Sequence, residues 1–161
     1  MKHTISIMVE NEFGALARIA GLFSSRGYNI ESLSVAPTLD PKVSRMTINT
    51  KGNDRVIEQI IKQLNKLINV IKVKDVTPEG PIHRTLAMIK VNLGKRNREK
   101  LRKITQPYFA RIVDTDDKCS IIQIVSEDEK VKQLIEELKP YGVMEYISTG
   151  SVAMQRGKKT I

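Results

Sequence analysis

Tryptophan is absent from the 161 residues, and only 4 Tyr and 3 Phe are present. Too few aromatic faces remain for a surface that grips single-stranded nucleic acid by stacking its bases. A single cysteine excludes an intrachain disulfide framework and fits a reducing compartment. No apolar run approaches the ~18 residues needed to cross a bilayer. Met1-Lys2 leads straight into an alternating segment rather than into a secretory or transit leader. Glycine-rich phosphate loops, CxxC pairs and nucleophile elbows are all missing. The two histidines, His3 and His83, each stand near the start of an expected strand and read as edge residues rather than as bases or ligands. Cys119 lies beside a turn with no histidine in its half of the chain except His83. Asp114, Asp116 and Asp117 lack the glycine and terminal glutamate of a calcium loop and read as a solvated turn. Catalysis and metal binding therefore have no candidate residues.

What is present has the proportions of a folded chain: 40% hydrophobic and 28% charged residues. At ~100–200 residues per domain, the length allows one ordinary domain or two small ones. The oddity is a net charge of +9, from 27 Lys and Arg against 18 Asp and Glu. It is spread over both halves, with 11 basic and 7 acidic residues before Val76 and 16 and 11 from there on. The densest cluster is Lys95, Arg96, Arg98, Lys100, Arg102 and Lys103, and a smaller one is Arg156, Lys158 and Lys159. A solvated helix face and a frayed tail explain both; an acidic protein partner is the rival reading. No helix-turn-helix, KH glycine loop or aromatic strand accompanies the charge to indicate nucleic acid.

The order of elements follows from hydrophobic periodicity. Thr4 to Val9 alternates as a half-buried strand, and Leu16, Ile19, Ala20 and Phe23 recur at helical spacing from Ala15 to Ser25, with Gly27 as the C-terminal cap. Tyr28 to Val35 and Val43 to Thr50 are strand-like, separated by a turn with Pro37 and Pro41. Lys51-Gly52-Asn53-Asp54 opens a helix whose stripe is Ile57, Ile60, Ile61, Leu64, Leu67 and Ile68, and Val70 to Val76 is a fourth strand. After Thr77-Pro78-Glu79-Gly80-Pro81 the pattern restarts. It predicts a strand over Leu86–Leu93, a basic helix over Asn97–Thr105, strands over Phe109–Val113 and Ser120–Val125, a helix after a Ser126–Glu129 capping box, and a last strand over Val143–Ile147 before a tail. The expected architecture is α+β: two ferredoxin-like βαββαβ units, residues 1–77 and 78–161, each with two helices on one face of an antiparallel sheet.

One loop stands out chemically. Asn11-Glu12-Phe13-Gly14 precedes the first helix, and a helix N-terminus offers unpaired N–H groups and partial positive charge to an anion. Gly14 lets a carboxylate approach the backbone, and the amide oxygens of Asn11 and Asn29 suit an ammonium group. These parts fit the head group of a free amino acid. The same residues also make an ordinary Asn-x-x-Gly turn and a helix cap.

Asn11-x-x-Gly14-x-Leu16 followed by Gly27-Tyr28-Asn29-Ile30 resembles the ACT domain, a ferredoxin-like module that binds amino acids. The run Arg26 to Thr38, with Ser44-Arg45-Met46-Thr47-Ile48, closely resembles the small regulatory subunits of acetolactate synthase. The likeness continues through Glu58-Gln59-Ile60 and Lys62 to Leu67, and is weaker at Leu86–Lys90 and Gly150–Gly157. It implies a non-catalytic chain that activates a catalytic large subunit and makes it sensitive to feedback by valine or another branched-chain amino acid. That large subunit would carry thiamine diphosphate, Mg2+ and FAD and condense pyruvate with a second 2-oxo acid. The resemblance further implies a homodimer through the ACT domain. Asn11, Gly14, Ala15 and Leu16 of one chain and Asn29 and Ile30 of the other would bind the effector, with Leu16 and Ile30 against the branched side chain. A cytoplasmic location, or the stroma of a plastid that encodes the chain, is expected. A stand-alone ACT-type amino-acid sensor is the alternative.

Overall fold

A computed structural model describes residues 1–161 and divides them into two compact units, Met1–Ile82 with Val152–Ile161, and His83–Ser151. The first unit runs β1 (Lys2–Glu10), α1 (Ala15–Ser25), β2 (Ile30–Pro37), β3 (Val43–Lys51), α2 (Asp54–Leu64) and β4 (Val70–Asp75). Its strands form an antiparallel sheet in the order β2-β3-β1-β4. Period-two alternation puts Ile5, Ile7 and Val9 of β1 and Met46 and Ile48 of β3 on one face, fully buried. Helical spacing brings Ala15, Ile19 and Phe23 of α1 and Ile57, Ile60 and Leu64 of α2 onto that same face. Gly27, at φ 70°, ends α1 in a left-handed conformation, and Tyr28 then turns back to meet Phe23 edge-on at 6.5 Å. Asn53 caps α2 by accepting from the Val56 N–H. Because α2 stops at Leu64, the expected stripe is shorter than its sequence pattern: Leu67 still packs on the core, but Ile68 is 88% exposed on the turn beyond.

The other face of this sheet is also covered, and it is polar. Thr4, Ser6, Thr47 and Asn49 are all buried there. Burial of such groups is tolerated only when they are paired. Thr4 Oγ1 donates to Asn49 Oδ1 at 2.7 Å, Asn49 Nδ2 donates to Ser32 Oγ at 2.7 Å, and Arg45 Nε donates to Ser6 Oγ at 3.2 Å. Residues of the C-terminal segment join this layer. Arg45 Nη2 donates to the Ala153 carbonyl at 3.0 Å, Gln155 Nε2 donates to Glu79, and Arg156 Nε donates to the Gly80 carbonyl at 2.9 Å. The segment expected to be a tail is therefore ordered.

The second unit repeats the topology: β5 (Ile82–Val91), α3 (Arg98–Thr105), β6 (Arg111–Thr115), β7 (Ser120–Ser126), α4 (Asp128–Leu138) and β8 (Val143–Met154), with sheet order β6-β7-β5-β8. Its core is Ala87, Ile89, Val91, Ile122 and Ile124 from the sheet against Leu101, Val131, Leu134 and Leu138 from the helices. Each unit is a ferredoxin-like βαββαβ arrangement. Gly94 is required by space rather than by dihedral angle, since a Cβ there would lie 2.2 Å from the Asp117 carbonyl oxygen.

Three expectations change. Ser126 is not the cap of α4: it pairs with Thr85 as the last residue of β7, and Glu127 takes the N-cap position with no side-chain bond. Thr85 Oγ1 instead donates to Asp128 Oδ1 at 2.6 Å and anchors that helix start. The last strand runs to Met154 rather than stopping at Ile147. The histidines are not at sheet edges, because β1 and β5 are interior strands; His3 is buried with its Nδ1 2.8 Å from Asp75 Oδ2.

Candidate functional site

The loop between β1 and α1 is fixed by its neighbours. Asn11 N–H donates to the Lys42 carbonyl at 2.7 Å, and Asn11 Nδ2 donates to the Pro41 carbonyl at 2.9 Å, so the amide group is aimed with its NH2 on the β2–β3 hairpin. Its Oδ1 is left facing away as a free acceptor. Gly14 is the N-cap of α1 at φ 80° and ψ −7°. A Cβ there would meet nothing within 4 Å, so the left-handed dihedral is what favours glycine. Ala15 N–H donates to the Glu12 carbonyl at 3.3 Å and Arg18 N–H closes the first helical bond to Gly14 at 2.9 Å. Between them, the N–H groups of Leu16 and Ala17 have no carbonyl within the helix, no capping side chain and no acidic residue in the first turn. Two unpaired donors at the positive end of an 11-residue helix make this the natural seat for a small carboxylate.

Residues without a recognisable motif hold the loop in place. Asn69, 5% exposed at the α2–β4 corner, donates through Nδ2 to both Glu10 Oε2 and Glu12 Oε2 at 3.2 Å. It accepts from Arg18 Nη1 through Oδ1, and its backbone carbonyl accepts from the Glu10 N–H at 2.8 Å. This arrangement occupies both carboxylates of the loop. Nothing local marks Asn69; only its place at a helix-to-strand corner could have drawn notice.

The structure places the six expected effector residues in two groups. Asn11, Gly14, Ala15 and Leu16 sit together at one end of the sheet, with Ala15 buried and Leu16 exposed. Asn29 and Ile30 lie at the other end. Glu10 is opposite Val43, whereas Ile30 is opposite Thr50. Those seven residues of β3 at ~3.3 Å each separate the groups by about 23 Å along the strand, so one chain alone does not bring them together. Asn29 is fixed by its backbone, whose carbonyl accepts from Thr50 Oγ1 at 2.6 Å, and its amide side chain is exposed. Ile30 packs partly on the core. β2, which Ile30 opens, is an edge strand.

The Asp114–Cys119 turn has the chemistry of a turn. Asp116 Oδ1 accepts from the Lys118 and Cys119 N–H groups at 2.7 Å each, which holds its carboxyl below the usual range. Cys119 Sγ donates to Asp116 Oδ2 at 3.3 Å, and that bond to a carboxylate pushes the thiol up, away from the reactive thiolate. No group of three His, Cys, Asp or Glu side chains is placed to hold a metal ion. No helix is long and apolar enough to cross a membrane.

Comparison with known proteins agrees along the whole chain. Residues 5–72 match the AHAS small subunit-like ACT domain, and residues 84–157 match the family described as the small subunit of acetolactate synthase. A probable acetolactate synthase small subunit from Archaeoglobus fulgidus is 47% identical over 159 residues, covering 99% of each chain. The acetolactate synthase isozyme 3 small subunit of Escherichia coli is 37% identical over 160 residues, covering 99% of this chain and 98% of that one. The crystal structure of the acetolactate synthase small subunit from Thermotoga maritima superposes with a TM-score of 0.90 at 35% identity, covering 99% of both chains. The loop of Asn11 and Gly14 is therefore that of an ACT-like fold, and the chain belongs to the regulatory small-subunit family of acetolactate synthase.

Proposed function

We propose that the chain activates the catalytic large subunit of acetolactate synthase and makes it sensitive to feedback by valine or a related branched-chain amino acid. The observation that carries this reading is the bare N-terminus of α1: a left-handed Gly14, two unpaired N–H groups and the free Asn11 Oδ1 lie within seven residues. The carboxylate of the amino acid binds the helix end and its ammonium group binds an amide oxygen. Residues 1–77 bind the effector and dimerise, and residues 78–161 form the C-terminal domain.

The separation of Asn11 from Asn29 supports a homodimer. Two first-unit sheets joined through their β2 edges run antiparallel, so the Asn29 end of one chain meets the Gly14 end of the other. Leu16 of one chain and Ile30 of its partner then enclose the branched side chain. Thiamine diphosphate, Mg2+ and FAD belong to the catalytic subunit, which performs the condensation. Valine regulates by binding one arrangement of the dimer more tightly than another, and a coupling of ~1–3 kcal/mol suffices. The test is co-purification with the catalytic subunit and assay of acetolactate formation with and without valine. Acetolactate synthesis that is raised by this chain and lowered again by valine supports the reading. A chain that binds valine but leaves the enzyme unchanged is instead a stand-alone ACT-type sensor.

A further inference from the structure

The second unit segregates its charge. Residues 95–111 carry seven cations and one acid, Glu99, whereas residues 112–151 carry four cations and nine acids. Within the basic segment, Lys95 reaches Asp117 at 3.4 Å and Arg102 reaches Glu99 at 3.5 Å, both pairs being solvent-exposed, and Lys100 lies 4.4 Å over the Tyr141 ring. Arg96, Arg98, Lys103 and Arg111 have no carboxylate within ion-pair distance. Four of the cations, Lys95, Arg98, Arg102 and Arg111, line the seam between α3 and β6. One hollow of about 430 Å³ there is lined by Arg102, Phe109 and Arg111, and another of about 330 Å³ by Lys95 and Arg98 with a single carboxylate, Asp114.

Phe109 is the second observation. It is 91% exposed, and it is the one non-glycine residue of the chain with a positive φ, 53°. The left-handed turn itself is a helix C-cap, with the Phe109 N–H donating to the Gln106 carbonyl at 3.0 Å and the Ala110 N–H to the Thr105 carbonyl at 3.1 Å, but glycine or asparagine fills such a position at less cost than a bulky aromatic. Here it buries nothing in return. An exposed aromatic flanked by arginines has the composition of an interaction hot spot.

We propose that the α3–β6 face of the second unit docks on an acidic patch of the catalytic large subunit, with Phe109 entering an apolar pocket and the arginines around it meeting carboxylates. This rests on the reading above that a catalytic subunit is the partner. A second copy is a poor occupant, because a two-fold interface would set this basic face against itself. Strand addition to the β6 edge is disfavoured too: the strand has only five residues and its register shifts between Ile112 and Asp114.

The test measures binding of the full-length chain to the catalytic subunit from ~50 to ~300 mM salt, as electrostatic docking requires affinity to fall over that range. Two variants are compared with the wild type: Arg98→Gln/Arg102→Gln/Lys103→Gln, and Phe109→Asn, which takes the left-handed conformation readily and keeps the fold. The expected result is a dissociation constant at least tenfold higher for each at low salt, a flatter salt dependence for the triple variant, and a Tm for Phe109→Asn no lower than wild type. Unchanged affinity and salt slope in both variants would overturn the proposal. So would a triple variant that loses only self-association, or only binding to duplex DNA. A wild-type chain that does not bind the catalytic subunit at all overturns the functional reading beneath it, and is told apart because no variant is needed to see it.

Discussion

Gly14→Asp is the sharpest probe of the effector site, because the structure separates its folding cost from its binding cost. A Cβ at Gly14 meets nothing within 4 Å, so there is no clash. The remaining cost is the left-handed dihedral at φ 80°, about 1 kcal/mol for an L-residue. Aspartate is the milder case and also places a negative charge at the helix N-terminus, which returns about 0.3–1 kcal/mol. Stability should change little. Binding should not survive, since the new carboxylate takes the Leu16 and Ala17 N–H groups and repels the effector's own. Losing charge-assisted bonds worth about 1.5–3 kcal/mol weakens valine by roughly 10- to 150-fold before repulsion is counted. Gly14→Ala is the control, with at least as much backbone strain and no charge. Isothermal titration calorimetry on wild type and both variants reads the outcome, with thermal melts alongside. Wild-type valine affinity in Gly14→Asp refutes the site. Equal losses in the two variants would show that backbone strain, and not the carboxylate, was responsible.

Four other outcomes are expected. Asn29→Ala should weaken valine by about 10-fold or more while leaving the thermal transition in place, because its amide is exposed and only its backbone carbonyl is used within the chain; a collapsed transition would assign Asn29 a structural role. Asn69→Ala removes the buried amide that holds Glu10, Glu12 and Arg18 and should cost about 1–3 kcal/mol in urea unfolding, a loss under ~0.5 kcal/mol being incompatible with that role. Gly94→Ala forces a Cβ to within 2.2 Å of the Asp117 carbonyl oxygen and should unfold the second unit or lower its transition by more than 2 kcal/mol; a wild-type melt would refute the close approach. Glu79 is held below the ordinary glutamate value by hydrogen bonds from Lys74 and Gln155. Its contribution is therefore present above about pH 4.5 and lost as pH falls through its lowered value, so a Tm–pH profile of Glu79→Gln should be flatter on the acid side, and parallel profiles would exclude the effect.

Local patterns were legible wherever a residue's role is set by its near neighbours. The helix over Ala15–Ser25 follows from its apolar spacing and Gly27, and the Asn53 cap follows from its turn. What was not legible depended on partners far along the chain. Ser126 has every local mark of a helix cap, yet the ladder with Thr85, 41 positions away, draws it into β7. Ser148 to Ser151 reads as polar tail, but β8 carries it on to bury Ser151 and Ala153. His3 looked like an edge residue because order along the chain does not say that β1 lies inside its sheet. In the site, Asn11 and Gly14 announce a helix entrance, while Asn69 acquires its role only through contacts spanning 51 to 59 positions. The interval from Asn11 to Asn29 could not reveal that the two lie at opposite ends of the sheet.

That separation has a thermodynamic consequence for the proposed regulation. If a bound amino acid must touch Gly14 of one chain and Asn29 of another, the monomer holds only half a site. Any ligand that binds the dimer but not the monomer stabilises the dimer by mass action, by about 2.7 kcal/mol at a hundredfold excess over its dissociation constant. Coupling is reciprocal, so whatever fixes the dimer's geometry must raise the affinity for the amino acid by the same factor. A catalytic subunit that holds two small subunits in a different arrangement would weaken valine, and valine would weaken that arrangement in turn. Feedback then needs no movement within either sheet. It needs only that the two β2 edges meet differently in the active and inhibited assemblies, a shift between rigid units that the largely exposed edge of β2 permits.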